Sequence, residues 1–276
     1  MKTPCLITSA IFAGISFFTE TAIPQQTATL PPAGKQFEVV AVKQSSPDSP
    51  GKSWHGTNDR ITIQNYSLRE MIRVAYGLKS NTQVLGGPGW IDKQHFDFSA
   101  KIDDADVDRM KGMNIEERSH QIQLMLQEML AERFLLKVTA DNRIMSVYLL
   151  VPAKSGAKLT ALAEPKDLDE LKTRNHSTSS SNGHLAAKAI SMDSFADYLT
   201  SRPDIGDRVV LNMTELIGEF DFKLDWAEDR GGEIPADATL PGIFTALQEQ
   251  MGLELKSDKG SIPVIVVDAV NEPEQN

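Results

Sequence analysis

Residues 126–153 and 243–270 share one grammar: an amphipathic helix, a strand, a short turn and a second strand. Leu126, Leu130, Phe134, Leu136 and Val138 correspond to Ile243, Leu247, Met251, Leu253 and Leu255 at a constant offset, 243 − 126 = 117. Asp141 and Asp258 in the turns keep that offset, as do Leu150 and Val267. Upstream, Ser67 matches Ser191 (191 − 67 = 124) and Phe96-Asp97-Phe98 matches Phe220-Asp221-Phe222 at the same 124. The change from 124 to 117 needs only a seven-residue shortening of one loop. Chance aligns one apolar stripe easily, but not a cap, an aromatic triplet, two stripes and a turn together. Helices with one apolar stripe must lie on a sheet face. The expected fold is therefore α+β, with two tandem βαββαββ-like repeats whose helices pack on mainly antiparallel sheets.

The local signals divide the chain. Lys2 followed by the uncharged run Leu6–Phe18 reads as an export signal, residues 1–22, with an uncleaved anchor as the competing reading. The Pro- and Gln-rich residues 23–36 read as a linker. Residues 37–155 are the expected first unit and 184–276 the second. The polar stretch 156–183, with Ser177–Asn182 (STSSSN) as its most linker-like part, separates them. Within the first unit, Phe37–Lys43 and Arg60–Tyr66 alternate as strands. Gln44–Asp59 reads as a loop, and Ser67-Leu-Arg-Glu70 as a capping box opening a helix. Leu135–Thr139 and Met145–Val151 are expected to form a hairpin. Cys5 is the only cysteine and lies ahead of the apolar run, so the mature chain is expected to hold no thiol, disulfide or Cys-ligated metal.

The formal net charge of −10 and the absence of a basic stripe argue against a nucleic-acid partner. No transmembrane span is expected in the mature chain. Catalytic templates fail one by one. The five histidines lack the i, i+4 pairing of zinc peptidases, and His95 with Asp97 on one strand face has no evident third ligand, so no metal and no cofactor are expected. Gly51-Lys52-Ser53 lacks the upstream glycine of a phosphate loop. Ser155-Gly-Ala-Lys158 overlaps Lys154-Ser-Gly156, so the two elements cannot form opposite walls of a penicillin-recognising site.

Two stretches are left as candidates. Gly86, Gly87, Pro88 and Trp90 (GGPGW) form a tight turn where backbone can approach a ligand and an exposed Trp can anchor it; the competing reading is a rigid turn whose Trp plugs the core. Asp97 and Asp221 occupy equivalent positions, and meet as an acid/base pair if the repeats pack about a twofold axis. The competing reading is a solvated sheet face.

Taken together, FEVVAVK, SLREMIRVAYGL, GGPGW, FDFSAK, LAERFLLK, VYLLVPAKSGAKL, GEFDFKLDW and ALQEQMGLELK with VIVVD resemble one family. It is the secreted, soil-associated bacterial family of unknown function, whose domain also occurs fused to antirepressor metallopeptidases of the β-lactam-sensor type. The resemblance covers roughly Phe37–Asn276 and implies bacterial origin and export; it brings no catalytic residue. One turn departs from the family wording V-D-K-T-G-L, reading Leu211-Asn-Met-Thr-Glu-Leu216 here. The helix–strand–turn–strand pattern is also similar to the short N-terminal interaction modules of secretins and TonB-dependent receptors. The leading expectation is an exported, periplasmic or extracellular, non-enzymatic binding module for an unknown protein or envelope ligand. The alternatives are a secreted hydrolase of cell-wall or polysaccharide material using Asp97 and Asp221, and an extracytoplasmic ligand-sensing domain.

Overall fold

A computed structural model describes residues 36–273, apart from 47, 50 and 230–238. The expected export signal and all but the last residue of the expected 23–36 linker lie outside the described residues. The first alternating segments form β1 (Val39–Gln44), β2 (Ser53–Gly56) and β3 (Arg60–Ser67). Ser67 then caps α1 (Leu68–Ala75) through the capping box read from the sequence: its hydroxyl accepts from the Glu70 amide and Glu70 accepts from the Ser67 amide at 2.9 Å. Leu68, Met71, Ile72 and Ala75 are the buried stripe of this helix. Next come β4 (Val84–Gly86), the single turn α2 (Trp90–Lys93), β5 (His95–Lys101), α3 (Asp104–Met110) and α4 (Ile115–Phe134). After β6 (Lys137–Pro152), the chain continues through α5 (Leu168–Thr173), β7 (Ser177–Ser181), β8 (His184–Ser191) and α6 (Met192–Thr200). It closes with β9 (Val210–Asn212), β10 (Glu219–Asp225), α7 (Ile243–Ala246) and β11 (Leu253–Ala269).

The architecture is α+β with helices on mainly antiparallel sheets. One lobe holds the sheet β1-β5-β3-β2, the other the sheet β10-β8-β7, and the sheet β4-β11-β6-β9 joins them. In the joining sheet the two long strands pair antiparallel along their whole length, while short β4 and β9 add parallel at its two edges. The first core packs Phe96, Phe98 and Phe134 with the stripes of α1 and α4; Phe96 and Phe134 meet edge to face at 5.3 Å. The second packs Phe195, Phe220, Phe222 and Trp226 with the stripes of α6 and α7. Each such fully buried side chain contributes about 1.5–3 kcal/mol of apolar burial.

Three expectations fail here. The hairpins expected at 135–151 and within 253–267 do not exist: β6 and β11 run straight through Asp141-Asn-Arg143 and Ser257–Gly260. These polar residues mimic turns because each is the exposed stretch of one long strand; its partner strand there carries Val147, Ile262 and Val264, which with Val209 form a third buried cluster between the two cores. Val138, Ile265 and Val267 belong to the first core, whereas Leu150 and Leu253 belong to the second. The serine tract expected as linker is edge strand β7, and the loop Gln44–Asp59 contains edge strand β2. An edge strand needs backbone partners on one side only, so β7 forms with all five residues exposed.

The offsets read from the sequence recur in the pairing. Ser53 pairs with Gln64 and Ser177 with Lys188, each 124 apart from its counterpart. The β3–β5 register slips between Ile63↔Phe98 and Tyr66↔Phe96, and the β8–β10 register slips between Ala187↔Phe222 and Ile190↔Phe220, again at 124. In the ribbon, Ile144 pairs with Ser261, and 261 − 144 = 117. The residue that the offset makes equivalent to Ile144 is thus the one opposite it.

Candidate functional site

Each register slip is a bulge, and each places one residue in left-handed backbone: Asn65 at φ 59° and Ala189 at φ 50°. The two candidate aspartates sit opposite. Asp97 Oδ1 accepts from the Asn65 amide at 3.0 Å, and Asp221 Oδ1 accepts from the Ala189 amide at 2.8 Å. Both carboxylates therefore hold a bulge in their own sheet, and no hydrogen bond or ion pair joins one to the other among the described residues.

Asp97 does more than its counterpart. Its Oδ1 also accepts from the Ser45 hydroxyl at 2.7 Å, and Lys43 Nζ lies 3.5 Å from Oδ2. Burial, the largest single influence, pushes the Asp97 pKa up; the hydrogen bonds from Ser45 and Asn65 and the Lys43 charge together outweigh it and hold it below the usual carboxylate value. Asp97 is thus a fixed, ionised acceptor.

Strand alternation puts Val42, Ile63, Phe96 and Phe98 inward, and Ala41, Lys43, Thr62, Gln64, Asp97 and Ser99 on the outer face. That face carries a groove of about 320 Å³ lined by Ala41, Val42, Lys43, Thr62, Gln64, Asp97, Phe98 and Ser99. Its floor is a row of short side chains, because Ala41, Ser99 and Thr62 are paired across β1, β5 and β3. In the second lobe the place of β1 is taken by a single bridge, Ala161↔Phe220, and the three-strand floor is not repeated among the described residues.

The GGPGW turn is tied into the scaffold. Gly86 and Gly87 have φ of +72° and +79°, a backbone that L side chains rarely adopt, so the turn needs the conformational freedom of glycine at both positions. The Arg69 guanidinium donates to the carbonyls of Val84 and Gly86 and to the Asp92 carboxylate. Pro88 precedes α2, its carbonyl accepting from the Ile91 amide at 3.1 Å. Trp90 is half-buried and meets the edge of Phe96 at 6.5 Å. Lys158 of the Ser-x-x-Lys segment donates to the Glu249 carbonyl.

Lys43, Ser45, Thr62, Gln64 and Ser99 were not singled out in the sequence. Alternation marks them as outward, but a strand's own pattern does not say which outward residues of three strands form one row. Comparison with family models matches residues 69–270 to a family described as a protein of unknown function. No curated protein and no solved structure matches the chain.

Proposed function

We propose that this chain, which belongs to the DUF3738 family of proteins of unknown function, is a non-enzymatic binding module whose ligand site is the groove on the outer face of β1, β5 and β3. The observation that carries this reading is the asymmetry between the lobes. The offset correspondences are those of a duplicated unit, and residues common to both copies are most simply scaffold. The β1–β5–β3 face under the groove has no three-stranded counterpart among the described residues of the second lobe, and on it the shared aspartate gains Ser45 and Lys43 as further partners. Asp97 and Asp221 each hold a bulge in their own sheet and are not joined to one another among the described residues, which favours binding over a hydrolase built on that acid/base pair. Export to the periplasm or beyond belongs to the same proposal, on the strength of the N-terminal apolar run. So does a role as the ligand-sensing part of a larger system.

The test is a thermal-shift screen of the full chain against soluble fragments of the bacterial envelope, repeated with Ser99→Trp, which fills the groove. A ligand at 100 times its Kd adds about 2.7 kcal/mol of stability. The expected result is a ligand whose shift vanishes in Ser99→Trp while the variant keeps its circular dichroism. A ligand that shifts both proteins equally removes the groove from consideration. Hydrolysis products detected by mass spectrometry, and lost in Asp97→Asn, would favour the hydrolase.

A further inference from the structure

The groove's own chemistry restricts what it can hold. Its two charges, Lys43 and Asp97, stand 3.5 Å apart and compensate each other. A ligand with net charge would be attracted by one and repelled by the other, so the pair as a whole offers it little. The other polar lining groups are uncharged. Thr62 and Ser99 carry hydroxyls that each donate once and accept twice. Gln64 uses its side-chain carbonyl to accept from the Ser53 hydroxyl at 2.9 Å, which leaves its NH2 as the group to offer. Asp97 accepts twice at Oδ1, while Oδ2 has only the 3.5 Å ion pair.

Extended peptides add to a sheet through the unpaired amides of an edge. Of the three strands under this groove only β1 is an edge; β5 and β3 are paired on both sides, so over them the ligand meets side chains. The floor of Ala41, Ser99 and Thr62 spans roughly 10 Å across three strands. Its volume, about 320 Å³, lies at the small end of ligand sites.

We infer that the groove takes a short, electrically neutral saccharide. Sugar hydroxyls donate and accept on the same atom, which matches a lining that holds both acceptors, Asp97 Oδ2 and the Ser99 and Thr62 oxygens, and donors, Lys43 Nζ and the Gln64 amide. This inference rests on the groove being the binding site.

The test is an amide chemical-shift titration of the full chain with three probes: a neutral N-acetylglucosamine oligomer, an anionic galacturonate oligomer and a cationic glucosamine oligomer. The neutral probe is expected to shift Lys43, Thr62, Gln64 and Ser99, with an affinity that changes little between low and high salt. Lys43→Met and Ser99→Val should each weaken it about tenfold, corresponding to ~1.4 kcal/mol, with dispersion of the remaining spectrum showing the fold intact. If a charged probe shifts the groove residues more strongly, with steep salt dependence, the saccharide must be charged and the inference fails, while the groove stands. If no probe shifts the groove, the saccharide inference fails; the Ser99→Trp comparison above then decides the groove separately.

Discussion

Ala189 occupies a backbone conformation, φ 50°, that costs an L-residue about 1–2 kcal/mol. Its counterpart Asn65 is better suited to the same angle. Glu215 is a parallel case: it lies at φ 58°, where the resembled family wording has glycine. Replacing Ala189 or Glu215 with Gly is expected to stabilise the chain by a few tenths to about 1 kcal/mol after glycine's own entropic cost is subtracted, read as a raised urea midpoint. An unchanged or lowered midpoint would mean that neither residue is strained. The opposing aspartates follow from the same bulges. Asp97→Ala leaves the Asn65 amide and Ser45 without their acceptor and should cost about 1–3 kcal/mol; Asp97→Asn keeps an acceptor oxygen and should cost less. Because the Asp97, Glu70 and Glu219 pKa values are all depressed, their contribution is fully present above the ordinary carboxylate value of about 4. It is lost as pH falls through the lowered values, so the stability gap between the native chain and Asp97→Asn, measured by urea melts, should close with acidification and not with alkali.

At the level of elements, starts and stripes were legible in the sequence and pairings were not. The Ser67 box, the stripe of α1 and the cap at Ser191 act through neighbours three or four residues away, so the sequence displays them. The long strands β6 and β11 escaped because a strand exposed at its middle carries the same Asp, Asn and Gly as a turn. Likewise β2 and β7 have no apolar face to announce them. The ribbon's uneven burial is testable. Leu150 is fully buried in the second core, so Leu150→Ala should cost about 2–5 kcal/mol. Ile144, at the ribbon's centre, is 75% exposed, and Ile144→Thr should lie within ~0.5 kcal/mol of the native chain. Comparable losses at the two sites would contradict this uneven burial along the strand.

At the scale of the whole molecule, the lobes are not independent. Each core takes side chains from both long strands, and the Ser80 and Thr82 hydroxyls also donate to the Asp207 carbonyl at 2.7 and 3.1 Å. Cutting the chain at a protease site inserted between Pro165 and Lys166 should therefore leave the two pieces together on gel filtration, and they should melt in one transition. Separation in native buffer would show that the ribbon is not what joins them. The candidate groove was illegible for the same reason as the ribbon: its row of Ala41, Ser99 and Thr62 exists only after three strands, distant in sequence, come into register.

The ribbon also bears on the order in which the molecule is made. Strand β6 leaves the ribosome about a hundred residues before its partner β11, so for that interval it is a long bare edge facing other nascent chains. Loop closure over such a separation is slow, and open edges recruit strangers. Asp141 and Arg143, paired at 2.8 Å in the middle of β6, put opposite charges on the stretch that stays wet in the finished protein. The residues that disguise the strand as a turn are thus well placed to guard it while it waits.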